Sequence, residues 1–170
     1  MGSTWSNKIA KVIWAIGGIN SSFVQNSTPL SVVYTSEIIN TGQDVTFLPS
    51  DGIIRMSNKV GLMYITDYGY AVPNNYWSYR LYHSWAPSAT YSIADITSNN
   101  WMLKGVNEMT ITRCGNSDYY YQSVSPSGMV SCASSYSNYF GLRQTFYLTE
   151  NTTIDMTTHA GTLADPYRVS

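Results

Sequence analysis

Apolar residues recur along this chain in short blocks set apart by Gly, Asn, Ser and Pro, and few blocks keep a helical period. In "KIAKVIWAIGG" (residues 8–18), Ile9, Val12 and Ile13 fit a helical face before the β-branched run ends in a Gly pair. This predicts a helical start leading into a short strand around Trp14. "PLSVVYTSEII" (29–39) is mixed, and its Val-Val-Tyr portion favours strand. "GQDVTF" (42–47) follows, then "LPSDG" (48–52), whose Pro, Asp and Gly predict a turn. "VGLMYITDYGY" (60–70) reads as a buried strand, a continuous apolar run stopped by Asp67 and Gly69.

Residues 71–100 form a long irregular stretch containing Pro73, Pro87, Trp77 and Trp85, which in a compact domain is either functional or packed by its own aromatics. "EMTITR" (108–113) predicts a strand, and "YQSVSPSGMVSCA" (121–133) a hairpin turning at 125–128. "GLRQTFYL" (141–148) predicts a further strand, "HAG" (159–161) a turn, and "DPYRVS" (165–170) a last short strand expected to pair with the first. With no repeat and no linker, residues 1–170 read as one α+β domain with short twisted antiparallel sheets and long irregular loops.

Tyrosine changes this picture most. Tyr119, Tyr120, Tyr121, Tyr136 and Tyr139 fall between the strands at 108–113 and 141–148, interleaved with Ser, Asn and Gly. Tyr gives a large contact area with few rotors, and Ser, Asn and Gly give adaptable hydrogen bonding, which is the chemistry of a recognition surface. Ser117, Asp118, Tyr119, Tyr120, Tyr121, Ser134, Tyr136, Asn138 and Tyr139 are the candidate ligand-binding residues. Consecutive strand residues alternate faces, so the Tyr119–Tyr121 run must present at least one ring outward. Tyr68, Tyr70, Trp77, Tyr79, Tyr82, Trp85 and Trp101 read instead as framework aromatics.

Charged residues make up 11% of the chain, against roughly a quarter in ordinary domains. Such a Tyr-, Ser-, Thr- and Asn-rich composition suits an extracellular or cell-surface domain. Net charge is −1 with no Lys/Arg cluster, which argues against nucleic acid and anionic membrane as partners. No apolar run is long enough to span a bilayer. The opening Met-Gly-Ser (1–3) reads as an expression scar ahead of a trimmed domain, so the lack of a signal peptide carries no information on location.

Cys114 and Cys132 flank the tyrosine-rich insert. They either close a loop of about twenty residues, worth ~3 kcal/mol on the chain-entropy model, or remain a pair of small semi-buried thiols. Export would favour the bond. Neither His83 nor His159 completes a recognisable triad, there is no G-x-S-x-G, and nothing favours a Cys114–His dyad over a disulfide. No catalytic residue is assigned and the chain does not read as an enzyme. Arg113 and Arg143 lie on strands and read as anchors through buried pairing or aromatic stacking.

Four motifs in fixed order carry a family resemblance: "KVGLMYITDYGYA" (59–71), "NWMLKGVNEMTITR" (100–113), "GLRQTFYL" (141–148) and "GTLADPYRVS" (161–170). Together they resemble a C-terminal domain of bacterial surface and pilin-like proteins that reads "IGLMYVSDYGYA", "NWMY…EWTITR", "VRPVFYL" and "GT…DPYRI". The upstream "WAIGG" (14–18) resembles that family's "WKVGG" more weakly. The likeness covers about the last two-thirds of the chain, with Met109 where the family has Trp and Gln144 where it has Pro.

The resemblance implies a C-type-lectin-like fold, related to the formylglycine-generating-enzyme-like fold and to the variable proteins of diversity-generating retroelements. In those proteins a strand framework holds a C-terminal patch of substitutable residues that binds ligand, and residues 117–121 and 134–139 fall where such a patch would sit. The implied function is surface recognition or adhesion toward a protein or glycan on another cell or surface. The alternative is a structural pilin or surface-layer subunit whose aromatic patch packs against a neighbour. The resemblance also raises a structural calcium ion, but Asp44, Asp51, Asp67, Asp118 and Asp165 are scattered and form no calcium loop, so no cofactor is expected.

Overall fold

The computed structural model describes residues 3–19, 29–38, 54–74, 98–114, 120–136, 139–160, 164–165 and 168–169. In chain order these form α1 (Ser3–Lys8), β1 (Val12–Ile16), β2 (Gly18–Ile19), α2 (Leu30–Ile38), β3 (Ile54–Asn58), β4 (Gly61–Leu62) and α3 (Ile65–Tyr70). Then follow β5 (Glu108–Cys114), β6 (Tyr120–Val124), β7 (Val130–Ser134), β8 (Gly141–Leu142), β9 (Gln144–Thr145), β10 (Ile154–Asp155) and β11 (Arg168–Val169). The architecture is mixed α+β, with short helices and small sheets.

All seven residues of β5 are buried, with Trp14 and Tyr64 packed on one face, α2 and α3 on the other, and neighbours along both edges. On one edge β5 pairs antiparallel with β6, which pairs antiparallel with β7. The other edge is shared: β8 runs parallel beside Glu108 and Met109, and β2 parallel beside Arg113 and Cys114. Between them the Ile111 N–H donates to the Met63 carbonyl at 2.9 Å. The β5–β6 ladder is irregular here. Met109 pairs with Ser123 and Arg113 with Tyr121, so three residues of β5 oppose Gln122 alone. This is a bulge, and it frees Ile111 to bond away from β6. Thr110 Oγ1 occupies part of the gap by donating to the Gln122 carbonyl at 2.9 Å.

Alternation gives this sheet two different faces. Val124 and Val130 pack with Val33, Met63, Ile65 and Tyr68 in a core beneath α2 and α3. Ile111, on the other face, packs with Trp14 and Tyr64, joined by Ile16 and Leu62. Trp14 comes from the antiparallel β1–β3 ribbon, where it pairs with Met56, and its Nε1–H donates to the Asn58 carbonyl at 3.1 Å. Its ring lies against Gly61, so close that a Cβ there would sit 2.6 Å from the indole.

Two expected strands are helices. α2 buries Leu30, Val33, Ser36 and Glu37, one face of a helix whose later positions are polar, so apolar periodicity never develops. The apolar run at 60–70 is strand only at Gly61–Leu62 and turns into α3. Asp67 accepts the Tyr64 N–H at 2.8 Å, and Thr112 Oγ1 accepts the Ile65 N–H at 2.9 Å. A local and a tertiary partner thus satisfy a helix start whose Ile65 and Thr66 are buried while Asp67 stays exposed. The run at 141–148 is not one strand: β8 pairs with β5, and β9 pairs with β4 after Arg143 intervenes. The expected pairing of first and last strands is also corrected, since β1 pairs with β3 and β11 with β10. The ends meet differently, through an Ile9–Leu148 bridge and Lys8 Nζ donating to the Val169 carbonyl. The readings at 42–47 and 48–52, and residues 75–97 of the irregular stretch, lie outside the described residues.

Candidate functional site

The β6–β7 hairpin carries the candidate surface. Its turn closes with the Gly128 N–H donating to the Ser125 carbonyl at 2.9 Å and the Ser125 N–H to the Met129 carbonyl at 2.8 Å. Gly128 sits at φ +86°, a left-handed conformation that favours glycine. Register then places Tyr120 opposite Ser134 and Tyr121 opposite Ala133 at the far end of the hairpin.

That far end is cross-linked. Cys114 and Cys132 form a disulfide with Cα atoms 6.0 Å apart. It straddles β6 next to Gln122, whose Nε2 donates to Cys114 Sγ at 3.1 Å and to Cys132 Sγ at 3.4 Å. The bond ties β7 to the buried central strand where the tyrosines emerge. It also leaves Cys114 with no thiol for a Cys–His dyad.

Tyr120 is 41% exposed, Tyr136 75% and Tyr139 84%. Ser134 Oγ accepts the Tyr136 N–H at 3.2 Å, which shapes the turn leaving β7. Tyr121 departs from this group. It points to the opposite face of β6 from Tyr120 and is half-buried, lining a cleft with Ser135. The nine candidate residues therefore do not all share one face. Ser117, Asp118, Tyr119 and Asn138 lie outside the described residues.

The cleft was not foreseen from sequence. It encloses about 360 Å³ between the β1–β3 ribbon and the bulged part of β5, against Trp14, Ile16, Met56, Leu62, Met109 and Ile111. That volume lies at the lower end of the range for small-molecule pockets. None of its lining residues among those described is charged. Exposed Met56, Asn58 and Ser135 mark its mouth.

The two arginines differ. Arg143 donates to both Glu108 carboxylate oxygens, at 3.1 and 2.5 Å, and to the Met102 carbonyl at 2.7 Å, a framework anchor across β5 and β8. Arg113 is only 3% exposed, and its Nε has no acceptor among the described residues. Of the framework aromatics, Tyr68 is core and donates to the Gly128 carbonyl, whereas Trp101 is exposed. Trp77, Tyr79, Tyr82, Trp85 and His83 lie outside the described residues.

A second feature missed from sequence is Glu37, fully buried on α2. Oε1 accepts from Thr112 Oγ1 at 2.5 Å and from the Thr66 N–H at 3.3 Å, and Oε2 contacts Thr66 Oγ1. Burial pushes its carboxyl up to about 8, against the opposing pull of the Thr112 and Thr66 hydrogen bonds. Thr66 Oγ1, the donor to Oε2 in this structure, can also accept, so the network suits the protonated acid as well. Glu37 thereby joins α2, α3 and β5 in one knot.

Among the described residues, no group of three His, Cys, Asp or Glu side chains is placed to hold a metal. Asp67 caps α3, and Asp165 pairs with His159 Nδ1 at 2.7 Å. Asp44, Asp51 and Asp118 lie outside the described residues. Among the described residues no helix is long and apolar enough to cross a membrane. Comparison with family models, curated proteins and solved structures gave no match to this chain.

Proposed function

We propose that this chain is a surface-displayed recognition or adhesion domain of C-type-lectin-like type that binds a protein or glycan through Tyr120, Tyr136, Tyr139 and their Ser/Asn neighbours. The observation that carries the reading is the exposure of Tyr120 and Tyr136 at the cross-linked end of a hairpin rooted in a buried strand, with Tyr139 exposed on the segment that leads from β7 to β8. Rigid aromatics on a fixed frame bind with little ordering cost. The disulfide supports an oxidising compartment, in keeping with the cell surface.

The test has two parts. Wild-type protein is screened against panels of immobilised glycans and extracellular proteins, and any ligand found is titrated against the Tyr120→Ala, Tyr136→Ala, Tyr139→Ala triple variant. Loss of binding with an unchanged melting temperature supports the reading. Full binding by a folded triple variant refutes it. If the domain belongs to a diversified set, sibling genes should differ at these Tyr, Ser and Asn positions and agree at Trp14, Glu37 and Gly61.

A second reading, a structural pilin or surface-layer subunit, draws on a different observation. Leu142, Phe146 and Tyr147, which follow Tyr139 in the sequence, are exposed as well, and exposed apolar side chains that cluster mark protein contacts. Concentration-dependent self-association lost in the triple variant would favour this reading over ligand recognition.

A further inference from the structure

The cleft and Arg113 lie on the same face of the sheet. Arg113 is two residues beyond cleft-lining Ile111 on β5 and pairs directly across from cleft-lining Tyr121. The next residue, Cys114, carries its sulfur to the opposite face, beside Gln122 and Cys132, so alternation turns the Arg113 side chain toward the cleft side. A guanidinium buried to this degree ordinarily has a counter-charge. Among the described residues, the carboxyl groups of Glu108 and Glu37 are engaged elsewhere, Glu108 by Arg143 and Glu37 by Thr66 and Thr112. The cleft itself supplies no charge, only an apolar wall with an indole at its base.

We propose that this cleft is a binding site, separate from the tyrosine surface, for a small hydrophobic carboxylate. Its apolar body lies against Trp14, Leu62 and Ile111, and its carboxylate accepts from Arg113 after a change of the arginine rotamer. The match is one of both size and charge. About 360 Å³ accommodates a one-ring or short branched acid, and a charge-assisted, partly desolvated guanidinium–carboxylate contact supplies orientation.

The probe is 3-phenylpropionate, compared by isothermal titration calorimetry with its neutral amide of the same shape. The acid should bind wild-type protein saturably and about tenfold to a hundredfold more tightly than the amide, the range of one charge-assisted hydrogen bond. Arg113→Gln should bring the acid down to the amide's affinity without altering the amide. Should Arg113→Gln fail to fold, Ser135→Trp at the exposed mouth provides the test by weakening both probes. The tyrosine triple variant should bind the acid as wild type does, which separates this site from the proposed recognition surface. Equal affinity for acid and amide in wild type, no binding of either, or unchanged acid binding in Ser135→Trp would overturn the proposal.

Discussion

Replacing Glu37 by glutamine should stabilise the protein at alkaline pH and flatten its dependence on pH. The native carboxyl is pushed up to about 8 by burial, from an ordinary value of 4.5. Below pH 4.5 both native and unfolded states hold the proton, and the stabilising contribution of the neutral acid is fully present. Between 4.5 and 8 the unfolded chain has released the proton and the native state has not, so each rise in pH favours unfolding. The slope is about 1.4 kcal/mol per pH unit, and a chain of this size loses roughly 2–4 °C of melting temperature per kcal/mol. Wild-type protein should therefore lose roughly 3–6 °C per unit across that window. Asp67, also raised by burial, adds in the same direction. Asp155 and Asp165 are lowered by hydrogen bonds from Thr157, Thr158 and His159, so their contributions are lost only below the ordinary carboxylate range. Glutamine retains the geometry, since its amide can donate to Thr66 Oγ1 while its oxygen accepts from Thr112. Circular dichroism melts from pH 5 to 9 on both proteins make the comparison. A wild-type melting temperature that rises over this range, or a Glu37→Gln slope equal to wild type, would show that Glu37 is ionised in the native state.

Three further perturbations probe the frame. Gly61→Ala puts a Cβ 2.6 Å from the Trp14 ring and should cost ~1–3 kcal/mol in urea unfolding; an unchanged midpoint would mean that the ring yields freely. Cleaving the Cys114–Cys132 bond, which spans 18 residues, should cost ~3 kcal/mol, and intact-mass analysis with alkylation should find no free thiol before reduction. Arg143→Ala strands the largely buried Glu108 carboxylate and should cost ~2–3 kcal/mol, partly recovered by Arg143→Lys; equal stability of all three proteins would deny the ion pair a structural role.

The parts of this fold legible in the sequence are those whose signals are local. The strand at 108–114 and the hairpin turn at 125–128 carry β-branched residues and a Pro-Ser-Gly turn, and both form as expected. Sequence pattern failed where tertiary partners decide the backbone. Leu30–Ile38 is a helix whose inward face ends in Ser36 and Glu37, residues that only a buried network makes acceptable there. Ile65–Tyr70 follows an unbroken apolar run and holds only Ile65, Tyr68 and Tyr70 around Thr66, Asp67 and Gly69, too short a stretch for a period of 3.6 to stand out, and Thr112, distant in sequence, satisfies its first N–H. The tyrosine cluster and the alternation of its strand residues were legible, but that Tyr121 is the ring turned into a cleft depends on the packing of β5 and the β1–β3 ribbon beside it. The cleft draws on β1, β3, β4, β5 and β6, and no single segment signals it.

The most direct test of the recognition reading is surface plasmon resonance of the wild-type domain and the Tyr120→Ala, Tyr136→Ala, Tyr139→Ala triple variant on a ligand identified by the glycan and protein panels. Truncating such aromatic anchors costs ~1–4 kcal/mol each, so the triple variant should lose binding by at least about a hundredfold while melting within a few degrees of wild type. Wild-type affinity in a folded triple variant would contradict the account and place recognition elsewhere on the molecule.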